Sequence, residues 1–118
     1  MIFVTVGTHE QPFDRLIRKM DEIKGQNLIP DDVFIQVGYS KHVPQYCNFE
    51  RFLGYEEIDK RVCEARIVIT HGGPGSIMLP FKYHKVPIVV PRQRQFDEHV
   101  DDHQVLFAKR MQRYNRIL

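Results

Sequence analysis

Four short apolar runs recur along the chain and predict buried strands. They read IFVTV at 2–6, DVFIQVG at 32–38, RIVIT at 66–70 and PIVVP at 87–91. Runs of this length that are rich in Val and Ile are typical of strands covered on both faces. A further short strand is predicted near residues 48–51.

Amphipathic stretches of helical period separate these runs. The first begins near Phe13 and has apolar residues at i, i+3, i+4 and i+7, with Gly25 as a plausible stop. Further helices are predicted over residues 55–65, 76–85 and 97–118, the last with one apolar face.

Strands that alternate with helices predict an α/β fold: a Rossmann-like parallel sheet with helices on both faces. Right-handed crossovers then bring the carboxyl ends of all strands to one edge of the sheet. Three glycine-bearing loops leave that edge, at residues 7–9, 38–40 and 71–73. Ligands of open α/β sheets bind in the crevice at this edge, so we expect the functional site there.

The loop after the third apolar run, THGGPGSIMLP at 70–80, is the most informative segment. Glycines let the backbone approach an oxygen-rich ligand, and free N–H groups at the next helix start donate to it, which predicts a phosphate or diphosphate site. The sequence is neither GxGxxG nor a P-loop. A tight structural turn without a ligand is an equally good interpretation of the loop taken alone.

Composition narrows the class of protein. The 118 residues fit one domain, and 42% are hydrophobic, which is enough for a core. A formal net charge of +2 gives no reason to expect nucleic acid as a partner. The chain has no apolar run of membrane-spanning length and no signal-peptide pattern, so we expect a cytoplasmic protein. Cys47 and Cys63 are expected to be buried, reduced thiols.

Three segments in order resemble the C-terminal domain of glycosyltransferase family 28: FVTVGTHEQPFDRLI (3–17), THGGPGSI (70–77) and PIVVPRQRQFDEHVDDHQ (87–104). The chain is most similar to small catalytic subunits of two-component glycosyltransferases. These include the dolichol-linked N-acetylglucosaminyltransferase type and, nearer in motif style, bacterial exopolysaccharide and capsule enzymes, often β-1,4-galactosyltransferases.

The resemblance implies the C-terminal half of a GT-B fold, a single nucleotide-sugar-binding domain over residues 1–118. It also implies a UDP-sugar as substrate and no metal or other cofactor. The acceptor would be a lipid-linked sugar, bound by a membrane-anchored partner subunit that holds this chain at the inner face of the membrane. The chain ends earlier than the bacterial group leads us to expect, which leaves a C-terminal truncation open.

The matching motifs carry over a set of substrate-binding residues. The first glycine turn and the 70–80 loop are expected near the diphosphate and ribose, an apolar pair near the uracil, and a D-x-Q motif near the sugar hydroxyls. These residues are Gly7, Thr8, His71, Gly72, Gly73, Gly75, Ser76, Phe52, Leu53, Asp102, His103 and Gln104, with Arg92 on the neighbouring loop.

An α-linked donor that gives a β-linked product requires inversion, with a stabilised leaving diphosphate and a general base. His9 is the candidate base because it follows the first strand at the ligand edge; the partner is an equal alternative. Relatives often carry a glutamate after the glycine loop that contacts the ribose. Here the segment reads MLPFKYHK, without an acid and with Pro80, which should bend or delay the helix.

Several residues also allow less specific roles. His71 suits a structural hydrogen bond, Gln104 a buried partner, and Phe52 and Leu53 the core. The spacing of His99, Asp102 and His103 allows a zinc site, hence a small metal-dependent hydrolase. The basic residues Lys109, Arg110, Arg113 and Arg116 suit either a solvated helix face or a dock for the partner or anionic lipid. A non-catalytic accessory subunit that binds nucleotide sugar is the main alternative function.

Overall fold

A five-stranded parallel sheet forms the centre of the protein. The computed structural model describes residues 1–114 and 117–118. The strands lie in the order β3-β2-β1-β4-β5, and every neighbouring pair is parallel. Their bounds are β1 Ile2–Thr5, β2 Val33–Gln36, β3 Asn48–Glu50, β4 Ile67–Thr70 and β5 Ile88–Val89. The predicted α/β class and Rossmann-like sheet are therefore confirmed.

In the described part of the chain, four α-helices connect or follow these strands. They are α1 Asp14–Gly25, α2 Tyr55–Glu64, α3 Pro74–Met78 and α4 His103–Arg113, with 3-10 turns at Leu79–Tyr83 and Arg94–Phe96. The alternation of side chains along each strand divides the core between the two faces of the sheet. Val4 and Ile35 pack with α1 on one face, whereas Phe3 and Phe34 pack with α2 on the other.

Two predicted helices differ from the structure. The helix predicted over 76–85 begins earlier, at Pro74, and changes into a 3-10 turn at Leu79. Pro80 has no N–H for the helical ladder, which accounts for this change. Lys85 then caps α2 by donating to the carbonyls of Val62, Cys63 and Ala65.

The helix predicted over 97–118 begins only at His103 and ends at Arg113. Asp97 takes a left-handed conformation with φ 56°, and the turn that follows it holds the chain out of a helix until residue 103. Part of that prediction, including Arg116, falls on residues 115 and 116 and lies outside the described residues. Phe107 and Met111 pack beside Ile77, but Val100 is 66% exposed rather than part of a buried face.

Two smaller observations complete the fold. Cys47 is buried and Cys63 is exposed, so the prediction of a buried thiol was wrong for Cys63. Among the described residues, no helix combines the length and the apolar character needed to cross a membrane.

Candidate functional site

A cleft of about 780 Å³ opens at the carboxyl edge of the sheet, between the loop after β1 and the loop after β4. Its two sides differ in chemistry. Loop residues make the polar side: Gly7, Thr8, His9, His71, Gly73, Gly75, Ser76, His99 and Gln104. The sheet, α2, the end of α3 and the turn after it make the apolar side: Phe3, Tyr55, Ile58, Val62, Val68, Met78 and Leu79.

No aspartate or glutamate lines this cleft in the part of the chain that the structure describes. The side chains there that can carry charge are Lys82 and three histidines, His9, His71 and His99. Such a lining does not repel an anion. Among the described residues, the histidines are therefore the candidate proton acceptors of the cleft.

His71 lies between the two glycine turns, and its ring leaves no room for a side chain at two of the glycines. A Cβ on Gly7 would lie 2.4 Å from Nε2 of His71, and a Cβ on Gly73 would lie 2.3 Å from its Cε1. Gly7 also has φ 75°, a conformation that favours glycine. These glycines therefore make room for a buried imidazole as well as for any ligand.

Hydrogen bonds fix the tautomer of His71. The N–H of Gly73 donates to Nδ1 at 3.1 Å, which leaves the proton on Nε2, 3.0 Å from Oγ of Ser76. Burial, and secondarily the positive charge of Arg92, lower the pKa of His71 to about 4. His71 is therefore a neutral ring at physiological pH, held in one orientation against the loop.

Gln104, near the start of α4, connects the loop after β4 with the loop after β5. Its Oε1 accepts from the N–H groups of Gly72 at 3.0 Å and Arg92 at 3.1 Å. A Cβ on Gly72 would lie 2.6 Å from Cβ of Gln104, so this glycine is required by the close approach of α4. The buried partner proposed for Gln104 thus exists, although the residue also lines the cleft.

The loop amides divide into used and free donors. Those of Gly72 and Gly73 already bind Gln104 and His71. Those of Gly75 and Ser76 have no hydrogen-bond partner among the described residues, since Ile77 is the first amide of α3 that donates, to the carbonyl of Gly73. A Cβ on Gly75 would meet no atom within 4 Å. The free space and free donors of the loop are therefore at Gly75 and Ser76.

His9 and His99 form a stacked pair at the mouth of the cleft. Their ring centroids are 4.3 Å apart and their planes differ by 13°. Nε2 of His9 is 2.9 Å from Oε1 of Gln11, and Nε2 of Gln11 donates to the carbonyl of Asp97 at 3.2 Å. Burial, followed by the proximity of His9, lowers the pKa of His99.

Arg92 is fully buried and outside the cleft lining. Its guanidinium donates to three backbone carbonyls, those of Val6, Gln11 and Glu98, at 2.6, 2.6 and 2.9 Å. Burial lowers its pKa to about 10, which still leaves it protonated at neutral pH. The side chain holds the two loops at the mouth of the cleft together instead of reaching into the cleft.

The remaining predicted residues lie apart from the cleft lining. Phe52 is 46% exposed and makes an edge contact with Tyr39, with centroids 5.0 Å apart. Leu53 packs against the core on the α2 face of the sheet. Oδ1 of Asp102 accepts from the N–H of Arg94, and the exposed His103 lies against Asp101. Their roles in binding stay predictions.

The zinc alternative loses its geometric basis. His99 precedes α4 and His103 begins it, so the two are not successive turns of one helix. No group of three or more His, Cys, Asp or Glu side chains within residues 1–114 and 117–118 is placed to hold a metal ion.

Several residues of the cleft were not predicted from the sequence to bind substrate, among them the polar residues His99 and Gln36 and the apolar wall with Tyr55 and Leu79. His99 reaches the cleft through an irregular segment whose path no periodicity could reveal. Gln36 ends β2 opposite Thr5, is 1% exposed, and its Oε1 has no partner in the described chain. A polar residue inside the apolar run VFIQV was the available clue to Gln36.

The fold and the cleft define a Rossmann-like α/β protein with a ligand site at the carboxyl edge of its sheet. A family model described as Glycosyltransferase family 28 C-terminal domain matches residues 1–116. The chain belongs to this family, and its general class is therefore that of the glycosyltransferases. Neither the curated proteins nor the solved structures gave a match.

Proposed function

We propose that this chain is the donor-binding catalytic subunit of a UDP-sugar glycosyltransferase, a single nucleotide-sugar-binding domain. The observation that carries the proposal is the acid-free cleft between two glycine turns, in a chain that belongs to glycosyltransferase family 28. A diphosphate is the ligand that such a lining suits best, because loop amides can donate to it and no carboxylate of residues 1–114 or 117–118 lines the cleft to repel it.

The free amides of Gly75 and Ser76 are the proposed donors to the diphosphate. Thr8 and the hydroxyl of Ser76, which His71 holds through its Nε2–H, lie on the same polar side and complete the set. Preorganised donors of this kind stabilise a leaving group as charge develops, and losing one typically raises the barrier by about 3 kcal/mol. The apolar side of the cleft, with Tyr55 and Leu79, is the proposed wall for the nucleoside.

His9 is the proposed general base for an inverting transfer. It lines the cleft, where no carboxylate of the described residues is present, and histidine is the side chain that most often acts as a general base. The alternative source of the base is the partner subunit.

We further propose that a membrane-anchored partner binds the acceptor. The described residues form one sheet whose cleft is proposed for the donor, and the partner would enclose the lipid-linked acceptor. By motif style the reaction is that of a β-1,4-galactosyltransferase in exopolysaccharide or capsule synthesis, at the inner face of the membrane.

A non-catalytic accessory subunit is the second candidate function. It is favoured by the end of α3 and the turn after it, where Met78, Leu79 and Lys82 line the cleft and no acid of the described residues is present to bind ribose hydroxyls. In that case the chain would bind nucleotide sugar and raise the activity of its partner without supplying catalytic groups.

Binding and transfer assays test these proposals. Calorimetry and saturation-transfer NMR should detect UDP and UDP-hexoses bound to the chain or to the assembled pair of subunits. Label from UDP-galactose should then pass to a lipid extract only when both subunits are present. The absence of any UDP binding would refute the donor site, whereas near-normal transfer by a His9→Ala pair would refute His9 as the base.

A further inference from the structure

We infer that Gln11 is a positioning residue that fixes the tautomer of His9, so that Nδ1 is the basic nitrogen of this imidazole. The proposed use of that nitrogen as a general base depends on the function proposed above. The tautomer itself does not, because every group involved belongs to this chain.

The inference starts at the backbone of Gln11. Its carbonyl accepts from the guanidinium of Arg92 at 2.6 Å, and Arg92 is fully buried. The position of Gln11 is thus set by one of the most enclosed side chains in the protein. The Gln11 side chain has little freedom to choose another place from which to contact His9.

The next step is the orientation of the Gln11 carboxamide. The carbonyl oxygen of Asp97 can only accept a hydrogen bond, so the nitrogen of the carboxamide must face it, at 3.2 Å. The oxygen of the carboxamide then faces His9, 2.9 Å from its Nε2. An oxygen acceptor requires a proton on Nε2, and a neutral ring then carries none on Nδ1.

The remaining contacts of His9 agree with this assignment. His99 stacks on the ring at 4.3 Å and limits its rotation without competing for either nitrogen. Nδ1 of His9 has no hydrogen-bond partner in the part of the chain that is described. It is therefore the nitrogen left to accept a proton from a ligand hydroxyl.

Long-range ¹H–¹⁵N NMR of the full chain reports the tautomer directly. At a pH where His9 is neutral, the wild-type chain should show His9 with its proton on Nε2. Gln11→Leu removes the acceptor and should increase the population of the Nδ1–H form. Gln11→Glu keeps an acceptor oxygen and should retain the wild-type tautomer, although it loses the link to Asp97.

Two further variants separate this role from general support of the loop. His99→Phe keeps a flat ring against His9 and should leave the tautomer unchanged. Gln26→Leu makes the same substitution at an exposed position beyond α1 and should also change nothing. A wild-type His9 protonated on Nδ1 would overturn the inference, as would Gln11→Leu with wild-type tautomer populations, or a tautomer that changes with His99 but not with Gln11.

Kinetics of the assembled enzyme provide the second readout. Gln11→Leu should lower kcat about tenfold with little change in KM for the nucleotide sugar. The reason is that a wrongly oriented base impairs proton transfer in the transition state but does not affect binding of the substrate. Gln11→Glu should recover most of that loss. An unchanged kcat in Gln11→Leu would overturn the positioning role, while loss of UDP binding by the wild-type chain would instead refute the proposed function.

Discussion

At the scale of single residues, Gly73 and Gly75 differ in what a methyl group would meet. A Cβ on Gly73 would overlap the His71 ring, whereas a Cβ on Gly75 would face open space. We expect Gly73→Ala to lower the free energy of unfolding by about 1–3 kcal/mol, because the buried ring must move. Gly75→Ala should leave it unchanged or raise it by about 0.5–1 kcal/mol, since alanine favours the first turn of α3.

The same pair tests the ligand site. If the diphosphate lies against Gly75, Gly75→Ala should weaken UDP binding measured by calorimetry while urea unfolding shows an intact fold. A Gly75→Ala chain that binds UDP like the wild type would place the diphosphate elsewhere. Equal destabilisation by the two substitutions would contradict the packing of His71.

His71 also makes stability depend on pH. Its folded-state pKa of about 4 lies below the ordinary 6.5, so the unfolded chain takes up the proton first as the pH falls. The contribution is therefore fully present above about pH 6.5 and is lost between there and about pH 4. The shift corresponds to about 3 kcal/mol.

Urea unfolding at several pH values between 7 and 4.5 measures this dependence. His71→Gln keeps an acceptor for Gly73 and a donor for Ser76 but does not titrate, so its stability should fall less over this range. Some dependence should remain, because the pKa of His99 is lowered as well. Parallel curves for the two chains would show that His71 is not buried as a neutral ring.

At the scale of the elements, the C-terminal end of α2 is held by one side chain from the loop before β5. Lys85 donates to three carbonyls at that end, where the helix has no N–H partners of its own. We expect Lys85→Met to lower the free energy of unfolding by about 1–3 kcal/mol, measured by urea unfolding, because the carbonyls lose a charged donor.

Lys60→Met is the matched control for this prediction. Lys60 lies on the exposed face of the same helix, so the same substitution there should change stability by no more than about 0.5 kcal/mol. If Lys85→Met lowered the free energy of unfolding no more than Lys60→Met does, the cap would not stabilise α2.

The elements also show how far sequence reasoning reaches. Strands β1, β2 and β4 were predicted well because Val- and Ile-rich runs bury on both faces, and this pattern needs no knowledge of distant residues. The start of α4 was not predicted correctly. Glu98, which precedes this helix and is 2% exposed, is held in place by Arg15 from α1 and by the N–H of Gln93. A helix boundary set by such tertiary contacts leaves no local pattern.

The cleft repeats this division. Its glycine turns and His9 follow strands directly and were predicted, while His99 arrives through the irregular segment before α4. The sequence alone also did not show fully why positions 72 and 73 must be glycine. Their close neighbours, Gln104 and His71, are visible only once α4 and the loop after β4 are in place.

At the scale of the whole molecule, Arg92 connects the parts that form the mouth of the cleft. It binds the loop after β1 through Val6 and Gln11, and the segment before α4 through Glu98. The Glu98 carboxylate in turn binds Arg15 of α1, with 2.9 Å between Oε1 and the guanidinium. These contacts join distant parts of the chain around a buried charge.

Removing the Arg92 guanidinium should therefore affect stability and the cleft together. We expect Arg92→Met to lower the free energy of unfolding by about 3 kcal/mol or more, because three buried carbonyls and the nearby Glu98 lose their cation. Arg92→Lys keeps the charge but not the planar fork that reaches three carbonyls, so it should lose about 2 kcal/mol. Arg94→Met, at an exposed neighbouring position, should change stability by less than about 0.5 kcal/mol.

Denaturant unfolding gives these values, and NMR of the His9 imidazole follows the cleft in the folded fraction. Because Arg92 holds the Gln11 carbonyl, Arg92→Lys should disturb the His9 resonances even under conditions where the chain is fully folded. Unchanged His9 resonances in folded Arg92→Lys would mean that the loop after β1 keeps its conformation without the fork. Arg92 would then stabilise the fold without shaping the site.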